Sequence, residues 1–308
     1  MTARPVLERW LNGASASHPM RRSTMPDWFL DTMETIIAPI DAAQPNRLPT
    51  KIKAFRTLTA DSHLLEQRAE LLIGSLLARH EVAFEFAQDH PDYVLADGSL
   101  GIEVGSRAID GPWALHNRLE ELLATSGSDL CVDLSFDDRP LKLGAARIAE
   151  IAEQILNSPS DQAVATARFE DIGLSAMLRK EPSELLSRVT ITFAGGLGLP
   201  LASHMADIER ELGNKVAEKT RQAQKIPTIL MVDMSRVGWG WMRGAEQWIP
   251  SLRRALVDTP FVGLGVFFTS LDLAVPMSTH LTLADSLDSQ LTPVVEQVAA
   301  AMGISPIG

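Results

Sequence analysis

Residues 228–234, TILMVDM, form an apolar run that begins directly after Pro227. The run is too short to span a bilayer, which needs about 20 apolar residues in a helix. Short apolar runs of this kind are typical of strands that are buried on both faces of a sheet. The run therefore predicts an α/β protein in which helices cover a central sheet.

Helical and strand patterns alternate along residues 61–308. Apolar residues recur at helical spacing after Asp61, and the period then changes to that of short strands at 82–86, 92–98 and 100–106. Further helices are predicted near 113–124, 141–156, 182–186, 204–224, 245–257 and 291–302, and further strands at 130–136, 189–195, 261–268 and 280–283. We therefore predict one α/β domain over 61–308, with a mixed central sheet flanked by helices.

Residues 1–60 predict a helical N-terminal arm, because prolines divide them into short segments such as 28–40. This segment carries eight Lys and Arg against five Asp and Glu, a net +3, so the rest of the chain, whose total is −11, carries −14. The eight cations are Arg4, Arg9, Arg21, Arg22, Arg47, Lys51, Lys53 and Arg56. A basic arm of this kind would suit contacts with phosphates, although chance explains three charges equally well.

Composition excludes several classes of protein. Cys131 is the one cysteine, so neither a disulfide framework nor a zinc site built on cysteine pairs is expected. The N-terminus lacks the apolar run of a secretory signal, and we expect a cytoplasmic protein with no membrane partner. Neither the GxxxxGK[ST] motif nor the GxSxG motif occurs, which argues against a P-loop nucleotidase and a serine hydrolase.

Two carboxylates are predicted to meet across a β-hairpin that turns at Asp97-Gly98. Asp92 lies five residues before Asp97 and Glu103 lies five residues after Gly98, so a symmetric turn makes them cross-strand partners. Partners of this kind have Cβ atoms roughly 5 Å apart. Two carboxylates at that distance repel each other unless a proton or a divalent cation compensates them. The spacing therefore predicts a site for Mg²⁺ or Mn²⁺.

Other polar residues lie near this hairpin in the predicted order of elements. Glu66 and Glu70 are one helical turn apart at the edge of an apolar stripe. His90 precedes Pro91 and Asp92 in the chain, where a surface histidine is the simpler interpretation. Asp233 lies near the end of the run at 228–234, a position typical both of ligand-binding residues and of turns.

The combination of Pro91-Asp92, Glu103-Val104-Gly105 on the next strand and Glu66 on the preceding helix resembles the PD-(D/E)XK nuclease superfamily. The resemblance implies a restriction-endonuclease-like fold in which Asp92 and Glu103 bind the catalytic metal and Glu66 completes its shell. The family's lysine, two residues after the second acid, is replaced by Gly105. Some members supply the lysine from another element, and here Lys219 or Lys215 would do so.

Arg107 is another cation on the strand face of Gly105, but its high pKa makes it a poor proton acceptor. The resemblance implies a metal-dependent nuclease that hydrolyses phosphodiester bonds, with Lys219 stabilising charge. DNA is the expected partner, RNA and a homodimer are left open, and restriction, phage defence or repair are the pathways that the family suggests.

One alternative is an inactive nuclease-fold protein that serves binding or assembly. The other is a nucleotide-binding protein that uses the glycines at 238, 240 and 244 after Asp233, in a spacing one residue longer than the usual fingerprint.

Overall fold

The computed structural model of the chain divides into two compact units. Unit 1 comprises Met1–Arg107, Arg210–Ser235 and Gly240–Gly308, and unit 2 comprises Ala108–Glu209 and Arg236–Trp239. The structure describes residues 3–22, 25–59, 61–108, 110–126, 130–136, 143–158, 164–180, 189–193, 202–220, 226–236 and 244–304. The sequence of unit 2 thus falls largely between two segments of unit 1.

Helices and strands alternate through the described residues. The helices are α1 (Pro5–Leu11), α2 (Asp27–Ala43), α3 (Leu48–Arg56), α4 (Asp61–Arg79), α5 (Asp110–Ser126), α6 (Ala145–Leu156), α7 (Ala202–Lys219), α8 (Ala245–Leu256) and α9 (Thr292–Ala301). The strands are β1 (Phe84–Phe86), β2 (Tyr93–Leu95), β3 (Gly101–Ala108), β4 (Cys131–Phe136), β5 (Val164–Phe169), β6 (Leu174–Arg179), β7 (Val189–Phe193), β8 (Thr228–Arg236), β9 (Gly263–Phe268) and β10 (Ser278–Leu283).

The strands form two separate mixed sheets. In unit 1 the order is β1-β2-β3-β8-β9-β10, with β1, β2 and β3 antiparallel to their neighbours in the hairpins and β8 parallel to β9. In unit 2 the order is β5-β6-β4-β7, with β4 parallel to β7 and antiparallel to β6. The predicted α/β class with mixed pairing is confirmed. The prediction of a single central sheet is wrong, because the strands between residues 131 and 193 pair with one another.

Two strands of unit 2, β5 and β6, had no counterpart in the sequence prediction. Their sequences, VATARF and LSAMLR, contain three alanines and few β-branched or aromatic residues, which weakens the strand signal. The inward-facing residues of this sheet pack against Leu119 of α5 and Ile151 of α6 in a core of their own. Unit 2 is therefore built as helices on a four-stranded sheet.

The helices of the predicted N-terminal arm contribute to the core of unit 1. Trp10 of α1, Ile36 of α2 and Phe55 of α3 are fully buried and belong to the same apolar cluster as Leu72 of α4 and Ile102 of β3. Burial of these large side chains supplies the free energy that holds α1–α3 against the rest of unit 1. The structure therefore does not separate residues 1–60 from the residues that follow, because residues 1–107 all belong to unit 1.

The β2–β3 hairpin closes through a short loop at the predicted turn. The amide of Leu95 donates to the carbonyl of Leu100 over 2.9 Å, and Gly98 has a φ of +73°. A residue with a side chain is rarely found in that left-handed conformation, so glycine suits the turn. Asp97 accepts hydrogen bonds from the backbone and the hydroxyl of Ser99.

Several other expectations have a plain outcome. Cys131 is buried in β4. Of the described helices, none combines the length and the apolar composition needed to cross a membrane. The helix predicted near 182–186 and the glycines at 238 and 240 lie outside the described residues, whereas Gly244 immediately precedes α8.

Candidate metal centre

The register of the hairpin places Asp92 opposite Glu103. Tyr93 pairs with Ile102 and Val94 pairs with Gly101, and the residues next in register beyond the first pair are Asp92 and Glu103. The predicted centre of the hairpin at Asp97-Gly98 is thus confirmed. Because side chains alternate between the faces of a strand, the two carboxylates lie on the same face of the sheet.

Glu103 is a fully buried carboxylate at 0% exposure. Its neighbours Ile102 and Val104 are buried on the other face, so β3 is covered on both sides. One oxygen, Oε1, accepts a hydrogen bond from Lys219 Nζ over 2.5 Å. The other, Oε2, accepts no hydrogen bond from the described residues, although His90 Nδ1 lies 3.3 Å away. A buried carboxylate oxygen without a hydrogen bond is costly unless another group compensates it.

Asp92 lies beside this carboxylate and is held by the backbone of the opposite strand. The amide of Val104 donates to Asp92 Oδ2 over 2.8 Å. Burial, followed by the negative charge of Glu103, raises the pKa of Asp92 to about 6. The Val104 amide and the cations Lys219 and Lys51 act in the opposite direction but do not cancel the effect. The two carboxylates therefore repel each other when both are ionised.

The part of α7 that belongs to unit 1 lies along β3. Three contacts repeat along the two elements, and they join Glu211 to Arg107, Lys215 to Gly105, and Lys219 to Glu103. Every fourth residue of the helix thus meets every second residue of the strand. Four helical residues rise about 6 Å and two strand residues about 6.6 Å, so the two repeats stay matched over three contacts.

Lys219 is the cation that this arrangement brings to the carboxylates. Its burial acts to lower the pKa of the ammonium group, but Glu103 and then Asp92 outweigh that effect, and the pKa of Lys219 is raised. Lys219 is therefore protonated near neutral pH and acts as a positive charge. Lys215, the other lysine considered, pairs with Glu218 over 2.8 Å.

Of the two acids on α4, the structure brings Glu70 towards the hairpin. Glu66 is exposed and lies outside the group of possible metal ligands found among the described residues, so the geometry does not support the predicted ligand role of Glu66. Glu70 is buried and paired with Lys51. Burial, followed by the charge of Asp92, raises the pKa of Glu70. The helical pattern placed both acids at the edge of the apolar stripe, and it did not show which of the two is buried.

A cleft of about 500 Å³ opens beside Asp92 within unit 1. Its walls include Glu70, Lys51 and Gln67, with Arg47 and Phe86 further along. Sequence reasoning missed Lys51 as a neighbour of the carboxylates, because the lysine lies on α3 in a segment interpreted as a separate arm. Asp92 is therefore one of the residues that line an open cleft.

Most cations of the first 60 residues are engaged within the protein. Those with described acceptors are Arg4 with Asp27 and Asp31, Arg9 with Asp41, Lys51 with Glu70, and Arg21, Arg22 and Arg56 with backbone carbonyls. Arg47 and Lys53 are exposed. The count of eight cations therefore overstates the number of side chains in this segment that are available to phosphates.

Three side chains of the hairpin region offer atoms that could hold an ion together. One ligand atom each of His90, Asp92 and Glu103 lies within 4.8 Å of the other two, the only such group among the described residues. The sequence favoured a surface histidine at position 90, and His90 is exposed, although it also lies beside Glu103. Asp233 is not part of this group and instead accepts hydrogen bonds from Ser235.

Comparison of the chain with family models, curated proteins and solved structures finds no match. The candidate function therefore rests on the geometry of the chain itself.

Proposed function

We propose that this protein is a metal-dependent phosphodiester hydrolase of the restriction-endonuclease-like class, with nucleic acid, first of all DNA, as its substrate. The observation that carries the proposal is Glu103 Oε2, a buried oxygen with no hydrogen bond from the described residues, on a carboxylate whose charge raises the pKa of Asp92. A divalent cation bound between the two carboxylates would supply the interaction that Glu103 Oε2 lacks and would offset the repulsion between the two negative charges.

The order of elements in unit 1 also supports the proposal. A helix, α4, precedes the antiparallel strands β1, β2 and β3, and residues 210–219 of α7 then lead to β8, the sheet neighbour of β3. The acids lie at the start of β2 and within β3, as they do in the PD-(D/E)XK proteins that this sequence resembles. The lysine that the motif expects at Gly105 has a counterpart in Lys219, which reaches the same carboxylate from α7.

Each residue has a distinct part in this proposal. Asp92 and Glu103 would hold Mg²⁺ or Mn²⁺, with one oxygen of each carboxylate fixed by Val104 and Lys219 respectively. The bound ion would polarise a phosphoryl oxygen and lower the pKa of an attacking water. Lys219 holds an ammonium group at Glu103, and its charge would stabilise negative charge that develops on the phosphoryl group. The cleft beside Asp92 admits the substrate strand.

The test is a cleavage assay on mixed single-stranded and double-stranded DNA and RNA, with Mg²⁺ and Mn²⁺ titrated separately. We expect cleavage that requires the added ion and that falls by at least about 100-fold in Asp92→Ala and in Glu103→Ala. Glu85→Ala, which removes a carboxylate from β1, is the matched control and should cleave normally. Thermal unfolding in chelator checks that all three variants are folded.

Two outcomes would overturn the proposal. Cleavage that persists in folded Glu103→Ala would show that another site or a contaminant is responsible. Nucleic-acid binding without cleavage under any divalent ion would instead favour the inactive nuclease-fold protein considered above.

A further inference from the structure

His90 adds an imidazole nitrogen to the two carboxylates of the hairpin. Its Nδ1 atom lies 3.3 Å from Glu103 Oε2, and ligand atoms of His90, Asp92 and Glu103 lie within 4.8 Å of one another. The side chain of His90 is 46% exposed, whereas that of Glu103 is fully buried. The histidine therefore stands at the solvent side of the cluster, where an ion would enter.

The protein already engages one oxygen of each carboxylate and leaves the other for an ion. Lys219 binds Glu103 Oε1, and the Val104 amide binds Asp92 Oδ2. Glu103 Oε2 accepts no hydrogen bond from the described residues. In Asp92 the Val104 amide binds Oδ2, so Oδ1 is the oxygen that does not take part in that hydrogen bond. His90 would therefore offer one nitrogen donor, and Asp92 and Glu103 one oxygen donor each, to a bound ion.

The spacing of these atoms suits coordination by a small ion. Two donors at right angles, each about 2.1 Å from an ion, lie about 3 Å apart, and donors on opposite sides lie about 4.2 Å apart. The 3.3 Å separation of His90 Nδ1 and Glu103 Oε2 is close to the first value, and no two of the three donor atoms lie more than 4.8 Å apart.

We propose that His90 is a metal ligand and that it makes the site selective for first-row transition divalent ions, Mn²⁺ among them, over Mg²⁺. This inference rests on the proposed function, because it uses the same carboxylates, but it names the class of cofactor. Mg²⁺ and Ca²⁺ take oxygen ligands, and Ca²⁺ needs six to eight of them. Imidazole nitrogen binds transition ions better than it binds these hard cations. Thiolate-selected ions are not favoured, since Cys131 lies in unit 2 and outside the cluster.

The alternative use of His90 is an ion pair with Glu103. Water reaches the half-exposed imidazole, and Glu103 already has Lys219 as its cation. Although His90 Nδ1 lies 3.3 Å away, Glu103 Oε2 accepts no hydrogen bond from the described residues. A coordinated ion would satisfy that oxygen, whereas the ion pair does not.

Isothermal titration calorimetry with Mn²⁺ and with Mg²⁺, on the full chain stripped of metal, tests the inference. We expect the wild-type protein to bind Mn²⁺ at least about tenfold more tightly than Mg²⁺. His90→Ala should lose about tenfold or more in Mn²⁺ affinity while its Mg²⁺ affinity changes by less than about threefold. His80→Ala, which removes an exposed histidine outside the cluster, should bind both ions as the wild type does.

A spectroscopic measurement provides a second readout. Pulsed electron paramagnetic resonance of bound Mn²⁺ should detect coupling to a ligand nitrogen in the wild type and in His80→Ala, and the coupling should vanish in His90→Ala. Thermal unfolding in chelator establishes that the variants are folded.

The outcomes separate this inference from the proposed function. Mn²⁺ binding that is lost in Asp92→Ala but unchanged in His90→Ala would overturn the role of His90 and leave the carboxylate site standing. Equal wild-type affinities for Mn²⁺ and Mg²⁺ would overturn the selectivity. No binding of either ion to the wild-type protein would remove both the inference and the proposed function.

Discussion

The side chain of Lys215 lies directly over Gly105, and a Cβ atom placed on that glycine would be 3.1 Å from Lys215 Cδ and 3.3 Å from Cγ. Such distances are tighter than ordinary van der Waals contact. The absence of a side chain at Gly105 thus lets α7 approach β3 closely enough for Lys219, one helical turn further on, to reach Glu103.

This contact predicts that a branched side chain at position 105 displaces α7. Gly105→Val should lower the free energy of unfolding by about 1–3 kcal/mol, because overpacking forces neighbouring atoms to shift. Gly105→Val combined with Lys215→Ala should recover part of the loss, since the second change removes the obstructing stem. Urea unfolding of both single variants and the double variant measures the coupling between them. Strictly additive effects would show that the contact does not determine the approach of the helix.

Lys219 neutralises a buried carboxylate, so its removal should destabilise the metal-free protein. We expect Lys219→Met to lower the free energy of unfolding by about 3 kcal/mol, because Glu103 would then be a buried charge without its cation. Mn²⁺ should restore part of this loss by taking over the compensating charge. Chemical unfolding with and without the ion measures both effects, and Lys53→Met serves as the exposed-lysine control. An unchanged stability in Lys219→Met would contradict the pairing.

The repulsion between Asp92 and Glu103 predicts an unusual stabilising substitution. At neutral pH in chelator, Asp92→Asn should raise the free energy of unfolding by on the order of 1 kcal/mol, because it removes one of two adjacent charges. The amide oxygen of asparagine still accepts the hydrogen bond from Val104. The same variant should lose the stabilisation that a divalent ion gives the wild type. Asp89→Asn, a change at a nearby exposed carboxylate, should do neither.

The two acids of α4 should differ in their effect on metal affinity. Glu66→Gln should leave Mn²⁺ affinity within about twofold of the wild type, because Glu66 is exposed and outside the cluster. Glu70→Gln should weaken it a few-fold, since the charges of Glu70 and Asp92 interact within the same buried region. Calorimetric titration of both variants with Mn²⁺ measures the two affinities. A larger loss of affinity in Glu66→Gln than in Glu70→Gln would instead support Glu66 as a metal ligand.

His18 predicts a loss of stability in acid that is unrelated to metal binding. Its ring is fully buried, accepts the Met20 amide on Nδ1 and lies 3.0 Å from the Phe55 carbonyl through Nε2, which describes a neutral imidazole. Burial lowers the pKa of His18, so the unfolded chain takes up the proton first. The free energy of unfolding should therefore fall as pH drops below about 6.5, by up to about 1.4 kcal/mol per pH unit, until the folded pKa is reached.

The measurement for His18 is a difference between variants, because other groups also titrate. The gap in unfolding free energy between the wild type and His18→Gln should shrink between pH 7.5 and pH 5. His80→Gln, at an exposed histidine, should follow the wild type at both values. A constant gap for His18→Gln would show that the ring has no shifted pKa.

Local patterns predicted much of unit 1. The helix at Asp61–Arg79 follows from the spacing of its apolar residues, and the hairpin register follows from the Asp97-Gly98 turn. The opposition of Asp92 and Glu103 was therefore predictable, because a turn sets the register of the two strands that it joins. The separation of the strands into two sheets was not predictable, because pairing between distant strands leaves no local pattern.

The amino-acid sequence by itself determined the α/β class, the hairpin and the two facing carboxylates, since all three depend on residues close together in the chain. Only the tertiary structure decided that Lys219, 116 residues after Glu103, reaches that carboxylate, that Glu70 rather than Glu66 turns inwards, and that α1–α3 complete the core. These features depend on how elements pack across long stretches of intervening chain. Packing of that kind is set by the combined shapes and charges of many surfaces and by no single periodicity.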